Sequence, residues 1–550
     1  MKSAKELLFL ALGGSGEIGM NVNLYCCDGK WLMVDLGMTF ADPYYPGIDL
    51  VFADLEFIEE RLDDLVGIVL THAHEDHIGA VPYFAQDLGV PLYATPFTAK
   101  LVHEKLLEAG IEKEVELNVI DHLDPFQLGP FGLRYIPLAH SIAEGNALLI
   151  DTPHGRIFHT GDWKLDDEPR IGTPATEEEL TAIGDEGVLA LVCDSTNVFN
   201  PNPSGSEGAV RAGLLEAVAA QKGRRVVVTT FASNVARLQT LGEVAEATGR
   251  RVCVAGRSLD RIIRVAQSCG YLKNFPETVH MDDAMDLPRG ELLVLATGGQ
   301  GEPRAALARI AADQHPVKLE KGDAVLFSTR QIPGNELAIG RVQNALVEKG
   351  VRIVTDRQSM IHVSGHPGRP ELMALYEWLR PEILVPVHGE IRHMAEQAQL
   401  GLDEGIPKAI VQKNGDLIRL APNGPKKLSE ERAGRLVLDG DIISPADGEA
   451  VAARRKLGAN GLITVALAVR LDGHLVSDVD IATIGIPLDE DMEAFMAEAK
   501  VEAAETVRNL KGDRRRDRFA VAEAVRLAVR RTGQRWSGKK PVVQVLLREG

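Results

Sequence analysis

The sequence predicts a mixed α/β protein of several domains, and three observations carry that prediction. Short apolar runs such as Val66-Gly67-Ile68-Val69-Leu70 end in loops dense with ionisable residues, as buried strands do when a site lies at their C-terminal ends. Residues 206–360 alternate helix-like and strand-like segments, the punctuation of βαβ units and a parallel sheet. From about 446 the pattern starts afresh as a smaller α/β segment. A length of 550 residues fits two to four domains.

In chain order, LLFLALGG reads as the first core strand. Two lysines precede it, but the apolar run is too short for a secretory leader and ends in a glycine turn. NVNLYCCDGKWLMVDLG and VGIVLTH supply further strands, one ending at Asp35-Leu36-Gly37. Gly13-Gly14-Ser15-Gly16-Glu17-Ile18-Gly19 lacks the Lys-Ser/Thr of a phosphate loop, so close backbone approach is the better reading. HIGAVPYFAQDLG and TPFTAKLVHEKLLEAG have helical spacing. Residues 132–166 read as strands joined by tight turns, with His140 and Asp162 at strand ends, and VLALVCDSTN ends at Asp194.

Within 206–360, GAVRAGLLEAVAAQ and ASNVARLQTLGEVAEATG read as helices, and RRVVVTTF, RVCVAG and ELLVLATGG as strands. After HVSGH (362–366), LMALYEWLRP is helical and EILVPVHGE is a strand ending at His388. The last segment offers strands ITVALAVR and HLVSDVDIATIG, a helix over DEDMEAFMAEAKVEAAETVRNL, a basic helix RRRDRFAVAEAVRLAVRR and the strand PVVQVLLRE.

The five cysteines, Cys26, Cys27, Cys193, Cys253 and Cys269, are odd in number and form no C-x-x-C pair. They read as reduced core residues of a cytoplasmic protein, not as ligands. No stretch approaches membrane-spanning length. The net charge of −19 does not decide the partner, because 13 basic against 6 acidic residues crowd positions 501–550 and local potential governs nucleic-acid binding.

Chemistry concentrates in Thr71-His72-Ala73-His74-Glu75-Asp76-His77. On a tight loop leaving a strand, alternate side chains converge, so His72 and His74 can reach one ion while Asp76 and His77 reach a second. Imidazole and carboxylate are ordinary zinc or manganese ligands. His103, in a helical pattern, His122, in a turn, and His154, His280, His315, His393 and His474, without ligand-like sequence neighbours, read as structural. His159 and His362 lie close enough to ligand positions to orient them.

H-x-H-x-D-H after a strand, His140, the Asp162 of GDW and the His388 of VHGE together resemble the metallo-β-lactamase superfamily. The insert before His388, the Asp194 of CDSTN, HVSGH and VPVHGE resemble its β-CASP nuclease branch. GGSGEIGMN, TFASN, TGGQGEP and STRQIPGNE resemble the ribonuclease J family, with Gly299 where many relatives carry serine.

The resemblance implies an αββα sandwich over 1–205 and 361–445, an inserted parallel-sheet β-CASP domain over 206–360 and a small α/β domain over 446–550. It assigns His72, His74 and His140 to one divalent ion, Asp76, His77 and His388 to a second, and Asp162 to both, with zinc preferred over manganese. Asp194, His366 and His388 occupy the three β-CASP positions. His366 and Asp194 would be catalytic, His366 as proton donor to the leaving 3′-oxygen.

Substrate contacts would come from Phe231, Ser233, Asn234, Arg257 and Ser258, from His362, Val363, Ser364, Gly365 and His366, and from Phe40 as a stacking aromatic. The implied activity is 5′→3′ exonucleolysis of 5′-monophosphorylated single-stranded RNA, with endonucleolysis, in RNA maturation and decay. A hydroxide activated by two metals would be the nucleophile, and the protein would be a homodimer or homotetramer working beside other RNA-decay proteins. A small-molecule thioester or lactone hydrolase is one rival, which the long insert and HVSGH disfavour. An RNA-binding scaffold with a degenerate site is another, which the complete ligand set disfavours.

Overall fold

In the computed structural model the described residues are 5–121, 124–332 and 334–549; His122 and the Pro333 of STRQIPGNE lie outside them. Two compact units emerge: residues 1–39 with 52–434, and residues 40–51 with 435–550.

The first unit contains two facing sheets. One has eight strands, with Leu7–Gly13, Val22–Cys27, Lys30–Val34 and Leu65–Val69 side by side at its centre. The other has seven, running through Phe131–Pro137, Asn146–Thr152, Gly155–His159, Ala190–Asp194 and Ile383–Val387. Phe9, Tyr25, Leu32 and Val69 from the first meet Tyr135, Leu148, Ile157, Val192 and Val385 from the second in one core. Helices Glu177–Asp185, Arg369–Leu379 and Ile391–Asp403 cover the outer face of the second sheet, burying Leu180, Leu372 and Leu400. Central strands covered on both faces are apolar throughout instead of alternating, which is why these segments read as continuous runs. Here the protein is the αββα sandwich that the resemblance implies.

The inserted β-CASP domain is a six-stranded sheet ordered Thr278–Val279, Arg251–Ala255, Leu292–Ala296, Val226–Thr229, Ala324–Phe327, Arg352–Val354. Every pairing in it is parallel. The expected helix over 232–249 forms only as Val235–Ala247, because Asn234 turns its side chain back to accept from the Arg237 N–H and so marks the N-terminus. Arg257 and Ser258, expected as substrate contacts, open the helix Arg257–Ser268 behind Gly256. This glycine adopts φ 147°, a backbone that side chains rarely tolerate. The helix Glu336–Glu348 is an element the sequence reading passed over.

In the second unit, Leu462–Val469 pairs antiparallel with Asp480–Ile484 and parallel with Val542–Glu549. Helices Met492–Asn509 and Arg518–Ser537 pack Phe495, Val521 and Val525 onto one face of that sheet. Only the second half of HLVSDVDIATIG is a strand, since Ser477-Asp478 supplies turn chemistry instead. The basic helix divides at Asp517, whose carboxylate accepts from the Phe519 and Ala520 N–H groups and caps the second piece. The helix Glu449–Asn460 and the hairpin Arg435–Asp439/Ile442–Pro445 were not anticipated. Among the described residues no helix is long and apolar enough to cross a membrane.

Candidate metal centre

Strand Leu65–Val69 ends at the rim of the sandwich, and the chain stays extended through His74 before turning into the short helix Glu75–Ile78. That change of direction lets His72 and His74 point one way and Asp76 and His77 another. Strands of the facing sheet deliver the remaining groups: His140 beyond Phe131–Pro137, Asp162 beyond Gly155–His159, Asp194 at the end of Ala190–Asp194 and His388 after Ile383–Val387.

Two donor groups result. His72, His74, His140 and Asp162 form one, and Asp76, His77, Asp162 and His388 form the other; within each, the ligand atoms all lie within 4.8 Å of one another. Asp162 belongs to both. Its Oδ2 is 3.8 Å from His72 Nε2, 3.7 Å from His140 Nε2 and 3.5 Å from His388 Nε2. Its Oδ1, buried without a hydrogen-bond donor in proper geometry, is 3.3 Å from His77 Nε2.

These residues fit a divalent metal. His74 Nδ1 is 3.1 Å from both His72 Nε2 and His140 Nε2. Burial holds His72 and His140 well below the ordinary histidine value and His74 down at about 4. Neutral imidazoles aiming nitrogens at a shared point beside a carboxylate are what a cation satisfies. His77 differs: burial opposes its charge, but Asp162, Asp35 and Asp76 outweigh burial and raise it well above the usual value. A metal must therefore displace a proton there.

The outward nitrogens are tied down, which fixes each ring. His72 Nδ1 lies 3.0 Å from Thr71 Oγ1, His140 Nδ1 donates to the Gly365 carbonyl at 2.7 Å, His77 Nδ1 is 2.7 Å from Asp35 Oδ2 and His388 Nδ1 is 3.0 Å from Asn21 Oδ1. Asp35 also accepts from the Thr71 N–H and hydroxyl, at 2.8 and 2.9 Å. Asn21 donates to the Asp76 carbonyl at 3.1 Å. Neither Asp35 nor Asn21 was singled out from sequence, although both stood in view, one at a strand end and one closing GGSGEIGMN. The glycine-rich stretch serves backbone approach: the Gly14 carbonyl accepts from the His388 N–H, and a Cβ on Gly13 would sit 1.9 Å from the Met20 carbonyl oxygen.

Beside the donors, His366 Nδ1 lies 2.7 Å from Asp194 Oδ2, and its ring is 5.3 Å from that of His140 and 5.5 Å from that of His388. Burial works against its charge, but the Asp194 carboxylate and hydrogen bond, aided by Asp162 and Asp76, raise it to about 9. A Cβ on Gly365 would meet His140 Cε1 at 3.0 Å, so glycine lets this loop close on the ligand. Ser364 Oγ accepts from the His366 N–H at 3.1 Å, Val363 is buried, and His362 has a buried Nδ1 without a partner; burial and Arg237 hold its ring neutral, at about 3.

The other proposed contacts divide. Ser233 reaches the centre, its Oγ 3.1 Å from His74 Nε2. Phe231 is half-buried beside that turn. Asn234 is buried and committed to its helix cap, while Arg257 and Ser258 open their helix on the surface with no hydrogen bond to a donor residue. Phe40 is exposed and belongs to the second unit.

An unanticipated residue organises this side of the cleft. Arg237, wholly buried, donates to both Glu207 oxygens at 3.0 and 2.8 Å, to the Ser328 carbonyl at 2.9 Å and to the Ile361 carbonyl at 3.2 Å, one residue before HVSGH.

Comparison with known proteins finds matches along most of the chain. Residues 17–189 match the metallo-beta-lactamase superfamily, 223–346 the ribonuclease J beta-CASP domain, 350–411 the Zn-dependent metallo-hydrolase RNA specificity domain and 449–550 the ribonuclease J C-terminal domain. The chain is 42% identical to a ribonuclease J of Sinorhizobium meliloti, over 100% of this chain and 98% of that one. It is 36% identical to a ribonuclease J of Mycolicibacterium smegmatis, over 96% and 94%. Among solved structures, an Enterococcus faecalis protein of unknown function superposes with TM-score 0.55 at 18% identity, covering 76% of this chain and 100% of its own, a likeness of fold.

Proposed function

The chain belongs to the ribonuclease J family, a metal-dependent nuclease lineage, and we propose that it acts as a 5′→3′ exonuclease on 5′-monophosphorylated single-stranded RNA, with endonucleolytic cleavage as a second activity. The observation that carries this reading is the pair of donor groups sharing Asp162, with His366 and Asp194 alongside. Two divalent ions, zinc or manganese, would supply an activated water and neutralise charge on the scissile phosphate.

The chain's own residues do the rest. The two carboxylates and the rings fixed by Thr71, Asp35, Asn21 and Gly365 keep the donor set in place. His366, held protonated by Asp194, gives its proton to the departing 3′-oxygen. Ser233 and Ser364 offer hydroxyls, and the HVSGH backbone offers N–H groups, to phosphate oxygens from opposite sides of the cleft.

The reading extends to RNA maturation and decay in the cytoplasm and to homodimers or homotetramers. Assembly is supported by the uncovered sheet face of the second unit, where Ile484 is 71% and Leu546 47% exposed.

The test is product analysis with one RNA carrying either a 5′-monophosphate or a 5′-triphosphate, plus zinc or manganese. Mononucleotides released mainly from the monophosphate form support the proposal. Binding without cleavage, or inert RNA beside a cleaved thioester, overturns it.

A further inference from the structure

We propose that Cys27, Asp28 and His154 form a separate, structural metal site for a borderline divalent cation such as zinc, joining the two sheets of the sandwich at the end remote from the catalytic donors. Their ligand atoms, a sulfur, a carboxylate oxygen and an imidazole nitrogen, all lie within 4.8 Å of one another. That donor set and spacing suit zinc.

Two hairpin turns present the donors. Cys27 ends the strand Val22–Cys27, its side chain in the core between the sheets. Asp28 and Gly29 follow with φ 51° and 88°, the tight two-residue turn that Asp-Gly favours. His154 sits in the turn between Asn146–Thr152 and Gly155–His159 of the other sheet, its N–H donating to Thr152 Oγ1 at 3.1 Å. Its Nε2 lies 2.6 Å from Asp28 Oδ1, which also accepts from the Glu6 N–H at 3.2 Å. Although His154 has no ligand-like sequence neighbours, the fold brings it two.

An Asp–His pair resting over an inert thiol would explain two of these three groups. It leaves the thiol beside a carboxylate that, among the described residues, has no lysine or arginine partner. A cation would displace the thiol proton and take the carboxylate as ligand. Three protein donors leave a fourth tetrahedral position on the solvent side.

The site is independent of the catalytic donors. The opposite end of Val22–Cys27 adjoins Asn21, which touches His77 and His388. Six residues at about 3.3 Å each place about 20 Å between the two ends.

Cobalt(II) titrated into the full-length, chelator-stripped protein tests the proposal, because the catalytic donors include no sulfur. The expected result is a thiolate-to-cobalt charge-transfer band in the near ultraviolet, lost in both Cys27→Ser and His154→Ala. In His154→Ala, bound zinc falls by about one equivalent per chain, the zinc-dependent rise in Tm becomes smaller, and RNA cleavage is retained. His154→Ala alters a surface turn and carries the test if Cys27→Ser does not fold. No band, a band surviving in His154→Ala, or an unchanged zinc count overturns the proposal. Inert RNA with the band intact would overturn the nuclease reading and leave this site standing.

Discussion

His366 Nδ1 and Asp194 Oδ2 meet at 2.7 Å, with the carboxylate fully buried and the imidazole partly open to the cleft. The pair joins the end of a sandwich strand to the HVSGH loop, so the proposed proton donor is set by the same sheet that sets the candidate metal ligands His140, Asp162 and His388. His366→Ala should keep the metal content of the parent and lower turnover by on the order of 10²–10⁴-fold, the usual worth of general acid catalysis. Coincident metal loss would make His366 a ligand instead.

The pH profile follows from the same contact. A proton donor works below its pKa, so turnover falls as pH rises through that value. Asp194 raises His366 to about 9 without metal, and bound cations draw it downward, so the alkaline limb is expected at or below about 9. Asp194→Asn removes the charge that raises it, and the limb should move to lower pH. Turnover against pH for both proteins checks this; an unmoved limb refutes the assignment.

His77→Ala should abolish RNA cleavage and remove metal from one donor group, with bound metal per chain counted by emission spectrometry. Because His77 is held protonated by Asp162, Asp35 and Asp76 against the cost of burial, metal affinity in the parent should weaken as pH falls and protons compete. Equal affinity at acidic and neutral pH would contradict that proton count.

How much of this was legible in the sequence depends on how local each signal is. THAHEDH packs four candidate ligands into six positions, and the later donors each close an apolar run, so the donor set could be assembled without coordinates. The rest is long-range. Asn21 meets His388 from 367 residues away and Asp35 meets His77 from 42, and nothing in their flanking residues announces such a partner. Arg237 falls inside an ordinary amphipathic helix, where an arginine reads as solvated surface. Arg514-Arg515-Arg516 looked continuous with the segment that follows because capping by Asp517 depends on one side chain turning back. His154 shows the same limit, since its neighbours come from another sheet.

Asp35→Asn should act through His77. The amide keeps the size of the carboxylate but loses its charge and one acceptor oxygen, leaving the His77 ring less firmly oriented and the Thr71 contacts incomplete. Metal affinity should fall by about 10–100-fold, with cleavage restored by excess metal. Loss of cleavage that excess metal does not rescue would place Asp35 in the chemistry itself.

Arg237→Met should destabilise the first unit by about 3–5 kcal/mol, the cost of leaving a buried charge without its partner. Denaturant unfolding measures that. Glu207 supplies a second sign: burial alone would raise it, but Arg237 dominates and holds it below the usual value. A depressed folded-state pKa adds stability above the unfolded value, and that stability is lost as pH falls through the folded value. Without Arg237 the folded value rises and this acid-dependent loss disappears, so the stability gap between variant and parent should be widest near neutral pH and narrow as pH falls. Because Arg237 also holds the Ile361 carbonyl ahead of HVSGH, RNA cleavage should fall while metal content stays constant. Arg237→Lys keeps the charge but cannot make the paired contact with Glu207 together with those to Ser328 and Ile361. It should therefore recover most of the neutral-pH stability and little of the turnover; equal recovery of both would confine Arg237 to stability alone.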